Sequence, residues 1–461
     1  MAFNNIDVLK LGKLTQILFS KGVLYQGSED TREWEQIQSL KVTDQAAREL
    51  RFMLQKSLGP AASQYRNPGQ SNREFPRAQQ ATVEEFIAKF KEMNTTLKLE
   101  YQLWERALMA KNAKYMEPLA LEVQSKAIAQ KRVMCFDFYA DGTGVRGQAA
   151  SVDTTALAAS GRIVVTLLDT DAARGHVGAF EQDDHLLAYS ATAVAQNPSG
   201  GAPTGTFYAL RVADKSFEDA TVSFDVIDEN GTVITGFTSS GIVANSNFYR
   251  VGQPTIPNLT TITDYGTASE VLVGLESLAA ADGRNVWGIT MSGAYKGSVL
   301  DAGGDPMDAI LFDKALSSGK RRVGQGRYKY KKACMADEVH TQLIDSRETD
   351  RRFNQVTDNK RGTTYFAYQH RNDSVECYTS EFVSKHRTWM LPERASGEKV
   401  LEYHGSDWKA VKVPGGSEFH LNASANGGYT NDIVSYMRGI GVIIARHPAA
   451  IIGIRNYTLA V

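Results

Sequence analysis

Residues 117–147, EPLALEVQSKAIAQKRVMCFDFYADGTGVRG, decide how the rest of the chain is read. Pro118 suits a first helical position, where its missing N–H would have had no partner, and no Gly or Pro follows before Gly142. About 23 residues at a rise of ~1.5 Å span roughly 35 Å, which makes this a scaffold helix rather than a short packing element. Leu119, Val123, Ala127 and Met134 follow one stripe and Leu121, Ile128 and Cys135 another. Neighbours are therefore expected on most of its circumference, leaving Lys131 and Arg132 uncovered. Gly142, Gly144 and Gly147 satisfy G-x-G-x-x-G, but a dinucleotide fingerprint needs a strand before the glycines and a helix after them. Here a helix precedes and a Thr/Ala/Ser-rich link follows, so the glycines are expected to end the helix.

Before this helix, Ile6, Leu9, Leu14, Ile17 and Leu18 share a helical face. Trp34, Ile37, Leu50, Met53 and Leu54 predict a second helical zone over Thr31–Leu58 that ends at Gly59-Pro60. Residues 61–81 are polar with two prolines and read as an extended loop. Thr82 and Glu85 have capping-box spacing ahead of Phe86, Ile87, Phe90 and Met93, whereas Leu97, Leu99 and Tyr101 alternate as in a strand. At least the second half of this segment is expected to be β.

After the glycines the pattern becomes β-rich, with strands expected over 162–167, 186–190, 206–212 and 221–227 in a small barrel or sandwich. Asn197–Gly201 reads as an exposed loop. From Ser269 the apolar spacing is helical again up to Asp282-Gly283. Helices are expected over 307–316 and 340–347, and strands over 363–368 and 374–378. Apolar runs at 441–445 and 450–459 suit buried strands.

Composition narrows the function classes. Lys and Arg number 51 against 52 for Asp and Glu, which removes global attraction to nucleic acid as a default. The three cysteines, Cys135, Cys334 and Cys377, form neither a disulfide framework nor a C-x-x-C pair, and a reducing compartment is expected. The first residues lack the uninterrupted apolar core of a signal peptide, and the expected product is soluble and intracellular. No pair of the eight histidines has the four-residue helical spacing of a zinc grip, and Asp183-Asp184-His185 reads as a solvated acidic turn. There is no nucleophile elbow and no phosphate loop; Ser318-Gly319-Lys320 imitates only the end of one. No catalytic residue, metal or cofactor is assigned.

The sharpest charge feature is GKRRVGQGRYKYKK, with Lys320, Arg321, Arg322, Arg327, Lys329, Lys331 and Lys332 and no acid among them. It is expected to be a glycine-punctuated loop that meets an acidic neighbour or solvent. The alternative is a nucleic-acid module whose cations hold phosphates while Tyr328 and Tyr330 stack on bases. An unrecognised multi-domain enzyme is a third reading. Residues 345–352, DSRETDRR, form a mixed-charge surface suited to pairing between subunits.

Taken in order, these elements resemble the major capsid proteins of tailed double-stranded DNA bacteriophages, whose fold is shared with herpesvirus shells. FDFYADGTGVRG (136–147) is similar to the spine-helix exit of that family, and RGIGVIIARHPAAIIGIRNYTLAV (438–461) resembles its closing strands. The resemblance implies an α+β chain. Its parts are an N-terminal arm (1–58), an extended β-loop (59–101), a peripheral domain with the spine helix (102–150), an inserted β-barrel-like module (151–255), an axial domain (256–390) and a return to the peripheral domain (391–461). It implies pentamers and hexamers of identical chains tiling an icosahedral shell around phage DNA, assembled in the host cytoplasm. The partners it implies are further copies, a scaffold, a portal, a decoration protein and the packaged DNA, with no membrane. Some relatives cross-link lysine to asparagine; Lys89, Lys91 and Asn94 fall in the projecting region, and a non-covalent shell is expected.

Overall fold

A computed structural model describes residues 37–41, 48–57, 82–100, 118–171, 173–192, 194–196, 209–228, 231–237, 240–251, 264–265, 271–279, 284–324, 327–346, 353–358, 363–370, 373–394, 396–406, 409–410, 420–423 and 429–459. The helix expected near residues 6–18, the loop over 61–81, the loop at Asn197–Gly201 and the mixed-charge stretch beyond Ser346 lie outside the described residues.

Thr31–Leu58 holds no helix where it is described. It contains strands β1 (Gln38–Lys41) and β2 (Glu49–Ser57). β2 pairs antiparallel with β3 (Thr82–Lys89), and after one residue the chain continues as β4 (Lys91–Glu100). The capping-box spacing at Thr82 therefore starts a strand. Alternation explains the correction: Leu50, Phe52 and Leu54 pack toward the core while Met53 is 73% exposed. Phe52 stacks on Phe86, which meets Trp287 and Tyr295 edge-on, so the hairpin's inner face is anchored by aromatics.

The long helix α1 runs Pro118–Tyr139, with Pro at its first position as expected. Its last turns, Met134 to Tyr139, are buried on every side. Beyond it come β5 (Gly147–Asp153), the single-turn α2 (Leu157–Ser160), β6 (Arg162–Leu167), β7 (His185–Tyr189), β8 (Ala195–Gln196), β9 (Ala209–Ser216), β10 (Thr221–Ile227) and β11 (Asn247–Arg250). The Thr/Ala/Ser-rich link is thus strand β5. Pairing runs β11-β5-β6-β10-β9-β7 and then from β7 back to β11, a closed antiparallel ring with β8 on its rim. Closure removes sheet edges. Alternate residues such as Ile163, Val165, Leu167, Phe224 and Phe248 fill the interior.

The helical spacing after Ser269 yields only the short α3 (Leu275–Ala279), beside a small sheet of β12 (Asp264–Tyr265), β13 (Asn285–Val286) and β14 (Ile289–Thr290). β15 (Ser298–Asp301) leads into α4 (Ala309–Val323), β16 (Tyr328–Met335) and α5 (Asp337–Asp345). β17 (Phe353–Asp358), β18 (Thr363–His370), β19 (Asp373–Thr379) and β20 (Arg387–Arg394) follow. The chain ends with β21 (Leu401–Gly405), β22 (Lys409–Ala410), β23 (His420–Ala423), β24 (Tyr429–Ala445) and β25 (Ile452–Arg455).

Two further sheets result. A mixed seven-stranded sheet has the order β15-β25-β20-β16-β19-β18-β17, and Phe312, Ala315 and Leu316 of α4 share its core. Gly319 sits inside α4 because a Cβ there would lie 2.1 Å from Ile452 Cδ1 of β25. In the other sheet the 17-residue β24 pairs with β4 over ten residues, Glu100 to Lys91, and with β21, β22 and β23. The end of the chain is laid along the strand that precedes the long helix.

Candidate functional site

The C-terminal half of α1 is the place where barrel, mixed sheet and helix meet, and the meeting is ionic. Arg132, expected to be uncovered, is 3% exposed. Its Nη2 donates to Glu181 of the barrel at 2.6 Å and to Glu381, which follows β19, at 2.8 Å; Nε also reaches Glu181 at 2.8 Å. The guanidinium lies 5.0 Å from the Phe382 ring centroid. One turn further, Asp137 pairs with Arg146 at 2.9 Å, both buried, and Arg146 stacks over Phe136. Burial raises the Asp137 carboxyl above its ordinary range and lowers Arg146, each opposed by its partner's charge. Asp184, read as part of a solvated turn, is largely buried and pairs with Arg250, while Asp183 stays exposed in the left-handed region.

His176 ties the same corner. Its Nε2 faces the Phe382 carbonyl at 2.9 Å and its Nδ1 accepts from the Gly178 N–H at 3.1 Å. These partners fix the neutral tautomer with the proton on Nε2, because a proton on Nδ1 would face another donor. Burial pushes its pKa down to about 4. A folded value below the ordinary 6.5 stabilises the fold above 6.5 and withdraws that support as pH falls through about 4. Chemical denaturation across that window is expected to show a loss of about 2 kcal/mol, and His176→Gln to flatten it by roughly half. A flat profile in the unaltered chain would contradict the burial-driven fall in the His176 pKa. Nearby, the Asp169 carboxyl is held at about 2, by the hydrogen bond with His386 above all and then by Lys385.

Gly142 and Gly144 both adopt positive φ directly after α1, and Gly147 opens β5, where a Cβ would press on the Phe180 ring. The passage from helix to strand contains no phosphate cradle of the strand-to-helix kind.

The basic stretch is not a loop. Lys320, Arg321 and Arg322 occupy the last turn of α4, where cations complement the helix dipole, and Lys329, Lys331 and Lys332 lie on β16. Arg327 immediately precedes the strand and its guanidinium lies over the Tyr328 ring. Tyr328 and Tyr330 are buried, the latter donating to the Ala450 carbonyl at 2.8 Å, so neither can stack on a base. Arg322 is spent on the Gly293 and Gly297 carbonyls and Lys331 on Glu393 at 2.6 Å. Arg321, Arg327 and Lys329 remain exposed at one end of the sheet.

At the other end of β16 a cleft of about 520 Å³ separates the barrel from α5, lined by Leu167, Val177, Phe217, Asp337, Glu338 and Phe382 among others. Among the described residues no group of three His, Cys, Asp or Glu could hold a metal ion, and no helix is long and apolar enough to cross a membrane. The three cysteines are buried and form no disulfide. Sequence gave no signal for Arg132, Glu181 and Glu381, which lie 49 and 249 positions apart along the chain.

No family model matches the sequence, and no curated protein matches it significantly. Several solved structures are similar in chain path. The capsid asymmetric unit of cyanophage A-1(L) is 10% identical over 96% of this chain and 98% of that one, with a TM-score of 0.46. The capsid of a native GTA particle is 10% identical over 99% and 100%, at 0.41. The holo-SrpI encapsulin complex of Synechococcus elongatus PCC 7942 is 9% identical over 100% and 98%, also at 0.41.

Proposed function

We propose that this chain is the repeating subunit of a closed icosahedral shell, a major capsid protein of the tailed-phage type. The observation that carries the reading is the return of the chain: β24 lies along β4, a strand that also contacts α1. The continuation of the aromatic-anchored hairpin and the late strands β21, β22 and β23 are thereby joined on one long strand, in the element order of the family that the sequence resembles. In this reading 1–58 is the arm, 59–101 the extended loop, 102–150 and 391–461 the peripheral domain, and 256–390 the axial domain. The closed ring is an inserted module over 151–255. Its role is mechanical. Weak contacts repeated around each subunit become durable once several neighbours hold it at high effective concentration.

The chain is a structural protein, not a catalyst, and its partners are further copies in pentamers and hexamers, with scaffold, portal and decoration proteins and packaged DNA beside them. It assembles in the host cytoplasm and resides in the virion. Residues Lys89, Lys91 and Asn94 belong to the hairpin and its continuation, and the shell they serve is non-covalent, so a denaturing gel of mature particles should show monomer rather than a ladder. Negative-stain microscopy of the chain expressed with any scaffold encoded beside it is expected to show megadalton particles. Monomers under every condition would overturn the reading.

A further inference from the structure

The cationic end and the cleft lie at opposite ends of one strand. β16 has eight residues, so Tyr328 and Met335 are about 23 Å apart. Arg321, Arg327 and Lys329 gather at the first end, and among the described residues no carboxylate pairs with any of them. The second end opens on the cleft, whose floor is apolar, with Leu167, Val177 and Phe382, and whose rim carries Phe217, 45% exposed. Glu218 beside Phe217, with Asp337 and Glu338 on the first turn of α5, is exposed, and no described cation pairs with these three carboxylates. The other carboxylates of the cleft are engaged within the chain, Asp169 by Lys385 and His386, and Glu381 by Arg132. Complementary surplus charge thus sits near the two ends of β16, on the sheet's cationic end and on the ring turn and α5 beside the cleft, too far apart to meet within one copy.

We infer that the Arg321–Arg327–Lys329 end of one copy docks on the Phe217–Glu218–Glu338 cleft rim of the next. This inference rests on the shell reading and names the surfaces that join neighbours. Two different patches make a head-to-tail contact, which closes into a ring when the rotation per copy permits, and does not give a two-fold dimer. The exposed Phe217 ring offers a face to an incoming guanidinium, as it already does to Lys215 Nζ at 5.2 Å from its centroid. Each exposed pair is weak alone, and repetition around a ring multiplies it.

The test is charge reversal with rescue, read as particle yield by sedimentation and microscopy. Arg327→Glu with Lys329→Glu, and separately Glu218→Lys with Glu338→Lys, are each expected to lower the yield roughly tenfold, because like charges then face each other. Chains carrying all four reversals are expected to recover most of the yield, which a merely destabilised subunit would not do. Circular dichroism matching the unaltered chain separates misfolding from lost docking, and Arg327→Gln with Lys329→Gln supplies a milder variant on the same side. Unchanged yield in both reversed pairs, or no recovery in the combined chain when all variants fold, overturns this pairing while leaving the shell reading intact. Absence of particles from the unaltered chain overturns both.

Discussion

Replacing Arg132 by methionine is expected to cost about 3 kcal/mol of stability, measured by chemical denaturation of the unassembled subunit. Its guanidinium is the shared partner of Glu181 and Glu381, and both carboxylates point at the same Nη2. Removing the cation leaves two like charges facing each other at a junction where barrel and sheet lie against α1. The carboxylates are about a quarter exposed, 24% and 27%, so water rescues part of the loss and the cost falls at the lower end for a broken buried pair. A triple variant, Arg132→Met with Glu181→Gln and Glu381→Gln, removes the surplus charge and is expected to lose no more than about 1 kcal/mol. If the triple variant is as unstable as the single one, the cost comes from packing over Phe382 and not from uncompensated charge.

That triad marks the boundary of what the sequence disclosed. Local pattern carried the regular elements: β6 and β10 occupy the very runs read as 162–167 and 221–227, and α1 starts at its proline. Reading failed where two periods competed. In ELRFMLQKS, Leu50, Met53 and Leu54 fit a helix, whereas Leu50, Phe52 and Leu54 fit a strand, and only pairing with β3 and contact with Trp287 decide between them. The basic stretch failed for another reason. Gly319 and Gly324 suggested a loop, but Gly319 marks a close approach of β25 to a helix that continues through Lys320, Arg321 and Arg322. Charge density was legible and its direction was not: the tyrosines that were candidates for stacking turn inward on the same strand that turns lysines outward.

The mixed sheet also explains why exposed cations at one end of it do not make the subunit a nucleic-acid module by themselves. Stacking platforms supply a large share of single-strand affinity, and here both aromatic rings are inside. What remains is a small set of point charges at one end of the sheet, a feature better matched to a surface of opposite sign.

The second large effect is expected where α1 ends, at a glycine the G-x-G-x-x-G spacing does not include. A Cβ on Gly274 would lie 2.2 Å from the Ala140 carbonyl oxygen and 2.4 Å from that of Asp137, both backbone atoms of the helix terminus. Neither can swing aside as a side chain would. Ala140 donates to Phe136 at 3.1 Å, and Ser277 Oγ of α3 donates to the Asp141 carbonyl, so the terminus is held by its own ladder and by the helix that Gly274 precedes. Gly274→Ala must therefore push α3 off the end of α1, at a cost of about 3 kcal/mol. Gly304 is the matched control: its φ is +91°, but a Cβ there meets nothing within 4 Å. Gly304→Ala carries backbone strain alone, about 1 kcal/mol. Denaturation midpoints should place Gly274→Ala well below Gly304→Ala, with particle yield falling in the same order. The reverse order would mean that the close seat of α3 on the helix terminus is not what holds α1 in place.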